Sequence, residues 1–91
     1  MPKFPKQAEA TRYIKNLLAS RNIELEPGII VLGEAEECQV FEHNRKCLAI
    51  DTKSGIWIGR SGGEWRQISS SCTVSAALQA VEYLIEVIYK K

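Results

Sequence analysis

Between Cys38 and Ile68 the chain passes through four short segments, "CQVFE", "KCLAID", "GIWIG" and "EWRQI", separated only by "HNR", "DTKS" and "RSGG". A parallel crossover needs about a dozen residues or more, so segments joined this closely must pair as antiparallel hairpins. This spacing constrains the fold most: the middle of the chain has to be a meander. Upstream, "EPGIIVLGE" offers a turn at Pro27-Gly28 and a fifth strand, Ile29–Leu32. Its unbroken aliphatic run suits burial on both faces or a central position.

A helix flanks the meander on each side. Pro5 suits a first helical turn, and Ala10, Tyr13, Ile14, Leu17 and Leu18 recur at helical spacing, which predicts a helix from Pro5 to Ser20 with Gln7, Arg12, Lys15 and Asn16 on its wet face. After "SSSC", Thr73 is the preferred N-cap, with Ser71 as the alternative. Val74, Leu78, Val81, Leu84, Ile85 and Ile88 then form an apolar stripe, and Lys90 and Lys91 suit the negative end of the helix dipole. The chain reads as one α+β domain, 1–91: N-terminal helix, antiparallel meander of four to five strands, C-terminal helix.

Turn lengths predict the register. A three-residue "HNR" loop sets Val40 opposite Leu48 and Phe41 opposite Cys47; the next loop pairs Ile50 with Ile56, Leu48 with Ile58 and Ala49 with Trp57. With Ser61-Gly62-Gly63 as a loop, Ile56 meets Ile68 and Gly59 meets Trp65. One face then collects Cys38, Val40, Leu48, Ile50, Ile56, Ile58 and Ile68, with Arg66 among them. The other collects Gln39, Phe41, Cys47, Ala49, Trp57, Gly59, Trp65 and Gln67.

Five strands at about 4.8 Å span roughly 24 Å, and two helices side by side cover about 20 Å. Both helices therefore fit on the aliphatic face, leaving Phe41, Trp57 and Trp65 as an open aromatic patch. The alternative, one helix on each face, would make both tryptophans core.

Charge and cysteine content bound the function. Five Lys/Arg and one Glu give residues 1–22 a charge of +4, six Glu and no basic residue give 23–42 a charge of −6, and five Lys/Arg against two acids give 43–67 a charge of +3. A net charge of +1 does not suit a dedicated nucleic-acid binder. "MPKFPKQAEATRY" lacks the apolar core of a secretory signal and no apolar run reaches membrane-spanning length, so the expectation is a cytoplasmic chain with three reduced thiols.

The chemical motifs resolve to structure. "GRSGG" lies between strands instead of opening a helix and lacks both phosphate-loop patterns, so it reads as a hairpin turn. "SSSC" could hold an anion, but it is also an ordinary cap with a serine linker. Cys72 with His43 would be the pair for a Cys-dependent enzyme. Cys38, His43, Cys47 and Cys72 lack the tight C-x₂-C spacing of a zinc site, and Glu34, Glu36 and Glu37 lack the ligand ladder of a calcium loop. No cofactor or metal is expected.

Residues 47–85, two strands leading through "GGEWRQISSS" into a helix, resemble the toxin-neutralising immunity module SUKH, which implies binding to a protein. The expected function is a small non-enzymatic interaction module of inhibitor, immunity or adaptor type. It would bind a protein or a second copy of itself, with Phe41, Trp57 and Trp65 as anchors and Arg60 and Gln67 at the rim. The alternative is single-stranded nucleic acid on the same face, rimmed by Arg45, Lys46, Lys53, Arg60 and Arg66.

Overall fold

The computed structural model describes residues 3–32 and 37–89. The elements are α1 (Gln7–Ser20), β1 (Gly28–Val31), β2 (Glu37–His43), β3 (Lys46–Asp51), β4 (Gly55–Arg60), β5 (Trp65–Ser69) and α2 (Val74–Tyr89). The five strands form one antiparallel sheet in the order β1-β2-β3-β4-β5, the meander that the short connections require. Glu34, Glu36, Lys90, Lys91 and the side chain of Ile88 lie outside the described residues.

Both helices pack on the same side of the sheet, over β3, β4 and β5. The main core joins Ala10, Ile14 and Leu18 of α1 and Ala77, Ala80, Val81 and Leu84 of α2 to Phe41, Leu48, Ile50, Ile56 and Ile58 of the sheet. The buried side of α2 is turned toward Ala76, Ala77 and Ala80, whose small side chains allow close approach, and Leu78 is 41% exposed, outside the stripe expected for it. Thr73 caps α2: its Oγ1 accepts the N–H of Ala76 at 3.1 Å. Helix α1 starts two residues later than expected and has no side-chain cap. Gln7 is not on its wet face: Nε2 donates to the Ile50 carbonyl (2.7 Å) and Oε1 accepts the Thr52 N–H (2.9 Å), clamping the helix start to the end of β3.

The β3–β4 register is as the sequence predicts, with Ile50 opposite Ile56, Leu48 opposite Ile58 and Ala49 opposite Trp57. Gly59 faces Trp65 as expected, but a bulge between Ile56 and Trp57 brings Ser69, not Ile68, opposite Ile56. Ile68 nevertheless packs on the main core.

The β2–β3 hairpin is the principal correction. Phe41 pairs with Leu48 and Val40 with Ala49, one residue out of the expected register. The loop contains two residues, Asn44 (φ 51°) and Arg45 (φ 70°), both in the left-handed region as a type I′ turn requires. Because side chains alternate, the slip reverses the whole of β2. Phe41 becomes fully buried under the helices, and Cys38 and Val40 move to the opposite face. Arginine is strained in this conformation where glycine is not, so Arg45→Gly should stabilise the fold by about 1 kcal/mol. The expected reading is a higher urea midpoint with unchanged slope; a lower midpoint would mean that the side chain of Arg45 contributes more than its strain costs.

Strand β1 also departs from expectation. It occupies an edge of the sheet, and Ile29 and Val31 are each 63% exposed. Its aliphatic run looked like a central strand, but the helices stop short of it and leave one of its faces bare.

Candidate functional site

The helix-free face of the sheet has its own small apolar cluster. Leu32, Cys38 and Ala49 are buried there, with Ile30, Val40, Trp57 and Trp65 packed around them and partly exposed. Ala49 lies between Val40 on β2 and Trp57 on β4, a small residue over which larger neighbours can lean. Trp65 lies over Gly59: a Cβ there would come within 2.6 Å of Trp65 Cδ2 and 2.8 Å of Cγ. The indole therefore rests on bare backbone and cannot tolerate a side chain at position 59. Gln67, opposite Trp57, is exposed and donates its amide to the Ser54 carbonyl. Trp57 Nε1 is buried with no hydrogen-bond partner among the described residues, which leaves a donor unsatisfied beneath this face.

Of the five anchor and rim residues expected from sequence, the structure brings three together: Trp57, Trp65 and Gln67. Phe41 is core and contributes nothing to this surface. Arg60 pairs with Lys46, whose ammonium reaches the Val87 carbonyl of α2 at 3.3 Å, so alternation places both on the helix side. Ile30, Val40, Cys38 and Leu32 are the members of this face that the sequence reading missed. Reading Asn44-Arg45 as a two-residue turn, for which asparagine is a good first residue, would have recovered Cys38 and Val40.

Three of the cations approach the aromatic face at one end, by Trp65. Lys46, Arg60 and Arg66 line a cleft of about 600 Å³ at that end of the sheet, together with Trp65, Ile58, Leu84, Val87, Tyr83 and Glu64. Arg45 lies next to it at the β2–β3 turn. Lys53 belongs to the turn at the opposite end, where Asp51 accepts the Ser54 hydroxyl at 2.7 Å and the N–H groups of Ser54 and Lys53 at 3.2 and 3.3 Å.

The three cysteines are free and buried. Burial raises the thiol pKa of Cys38 and Cys47, and at Cys38 the Asp51 charge adds to it. Cys72 is pushed up to about 11, by burial first and then by Asp51. A nucleophilic cysteine needs a lowered pKa and access, and Cys72 has neither. The slip of β2 also puts Cys38 and Cys47 on the same face, not on opposite faces as expected, yet no group of three or more His, Cys, Asp or Glu side chains among the described residues could hold a metal ion. No helix among them is long and apolar enough to cross a membrane.

No family model, curated protein or solved structure matches this chain. The resemblance of residues 47–85 to the SUKH module rests on those residues alone.

Proposed function

We propose that this chain is a small non-enzymatic interaction module that docks a protein surface, its own second copy included, against the helix-free face of the sheet. The observation that carries this reading is the one-sided arrangement of the helices. With α1 and α2 on the same side, Trp57, Trp65, Val40 and Ile30 pack around Leu32, Cys38 and Ala49 with no helix among the described residues over them. Partly exposed tryptophans on a rigid sheet are typical interface anchors, large in area and with little side-chain entropy to lose.

Alternation puts Lys46, Arg60 and Arg66 on the helix side of the sheet, and the cleft they line touches the aromatic face at Trp65, one end of the surface that a single strand of nucleic acid would stack on. Protein binding is therefore the better reading of this face.

The test combines sedimentation over a range of concentrations with acrylamide quenching of tryptophan emission. A dimer that Trp57→Ala weakens about tenfold or more without loss of near-ultraviolet circular dichroism supports a self-docking face. A monomer whose tryptophans are readily quenched supports a face open to another protein. A monomer with both tryptophans shielded from quencher overturns the proposal.

A further inference from the structure

We infer that the free edge of β1 is a docking edge for an extended segment of a partner protein, apolar in its middle and basic at its ends. This surface is separate from the aromatic face, and the experiment below distinguishes the two.

Three observations carry the inference. First, β1 is an edge strand: on one side it pairs with β2, and no described residue pairs along the other. A row of main-chain donors and acceptors is therefore open to a further strand. Second, the usual protections are missing. Natural edge strands discourage pairing with charges, prolines, bulges or a covering element. Gly28–Val31, "GIIV", has no charge or proline within it and keeps an unbroken register with β2; among the described residues its short length and Pro27 just before it are the safeguards it retains. The opposite edge, β5, carries Arg66 and Gln67 at exposed positions, beside Glu64.

Third, both faces of β1 are apolar. Ile29 pairs with Gln39, which pairs with Ile50 of the helix-side core, so Ile29 and Val31 point to the helix side, where no helix covers them. Ile30, opposite Cys38, points to the aromatic side. An added strand would cover apolar side chains on both faces while completing the ladder. This is recognition by strand addition, in which main-chain bonds give affinity and alternate side chains give selectivity.

Charge selects the occupant. Residues 23–42 hold six glutamates and no lysine or arginine. Glu24 and Glu26 precede β1, Glu37 starts the neighbouring strand, and all three are exposed. Lys15 offsets one of them by bridging Glu26 at 3.0 Å, and Arg12 lies with Lys15 along α1 beside Gln39. The remaining excess of negative charge attracts lysine or arginine at the ends of an incoming strand and steers its approach. A second copy pairing β1 to β1 would instead bring two such acidic segments together.

The probe is an end-blocked peptide of alternating valine and threonine with two lysines at each end, titrated into the ¹⁵N-labelled full chain. The expected result is saturable amide shifts confined to β1 and its neighbours, new exchange protection along β1, and affinity that falls with added salt. Replacing the lysines by glutamates, or N-methylating two consecutive central residues so that whichever peptide edge pairs loses a central donor and presents a methyl group to β1, should each weaken binding at least about tenfold. The double variant Ile29→Lys, Val31→Lys should do the same, while Trp57→Ala leaves peptide binding intact; near-ultraviolet circular dichroism checks the fold of both. Undiminished binding of the N-methylated peptide, undiminished binding by the double variant, absence of binding, or a dimer that the double variant dissolves would each overturn the inference.

Discussion

Phe41→Ala should destabilise the protein by about 3–5 kcal/mol, the range for removing a fully buried phenylalanine from a core. Phe41 is completely inaccessible and joins the sheet to the cluster that includes Ile14 and Leu18 of α1 and Leu84 of α2. Truncation removes the ring's transfer energy and leaves a void bounded by two helices and a sheet, which cannot collapse independently. A domain of 91 residues has a total stability of about 5–14 kcal/mol, so the variant should lose from about a fifth of that stability to all of it. Urea denaturation followed by far-ultraviolet circular dichroism measures the loss. The result also decides the register of β2. With a three-residue loop at "HNR", Phe41 would lie on the helix-free face and its removal would cost little; a loss below about 1 kcal/mol would therefore sink the two-residue turn at Asn44-Arg45.

The second large effect is expected at Gly55, the first residue of β4. Its φ of +110° lies where side chains are strongly disfavoured, and an added Cβ would fall 1.9 Å from the Ser69 carbonyl oxygen and 2.9 Å from the carbonyl carbons of Ser69 and Ser70. These are backbone atoms next to the β4–β5 bulge, so no flexible side chain can swing aside. Gly55→Ala should cost at least about 3 kcal/mol, from steric displacement added to backbone strain. Gly62→Ala is the control. Gly62 also has positive φ, +76°, but a Cβ there meets nothing within 4 Å, so only the left-handed backbone term of about 1 kcal/mol is expected. Equal losses at the two positions would show that strain alone, without the clash against Ser69, makes Gly55 necessary.

The exposed residues of β1 add a contrast within the sheet. Ile56 and Ile29 are the same residue type in the same sheet, yet one is fully buried and the other 63% exposed. Side-chain type sets what burial is worth, and position under the helices decides whether it happens. A sheet of five strands is wider than two helices, and the excess width falls at β1.

The sequence alone determined much of this architecture. Three- and four-residue connections allow only hairpins, so antiparallel order follows from spacing. Helical periodicity and the Thr73 cap located the helices, alternation in "KCLAID" and "GIWIG" correctly assigned Leu48, Ile50, Ile56 and Ile58 to the core face and Trp57 to the other, and the pairing of Gly59 with Trp65 across the "RSGG" turn put Trp65 beside it. Each of these signals is local, set by chain geometry over a few residues.

What only the tertiary structure decided is which of two locally similar options the whole molecule stabilises. "HNR" is compatible with a two- or a three-residue turn, and the choice costs only about 1 kcal/mol of strain at Arg45. Burying Phe41 under both helices outweighs that cost, and alternation then carries Cys38 and Val40 to the open face and removes Phe41 from the candidate site. The same holds for "GIIV": nothing in four aliphatic residues distinguishes a central strand from an edge. Its place at the margin, bare on one face and open along one edge, follows from where α1 and α2 come to rest.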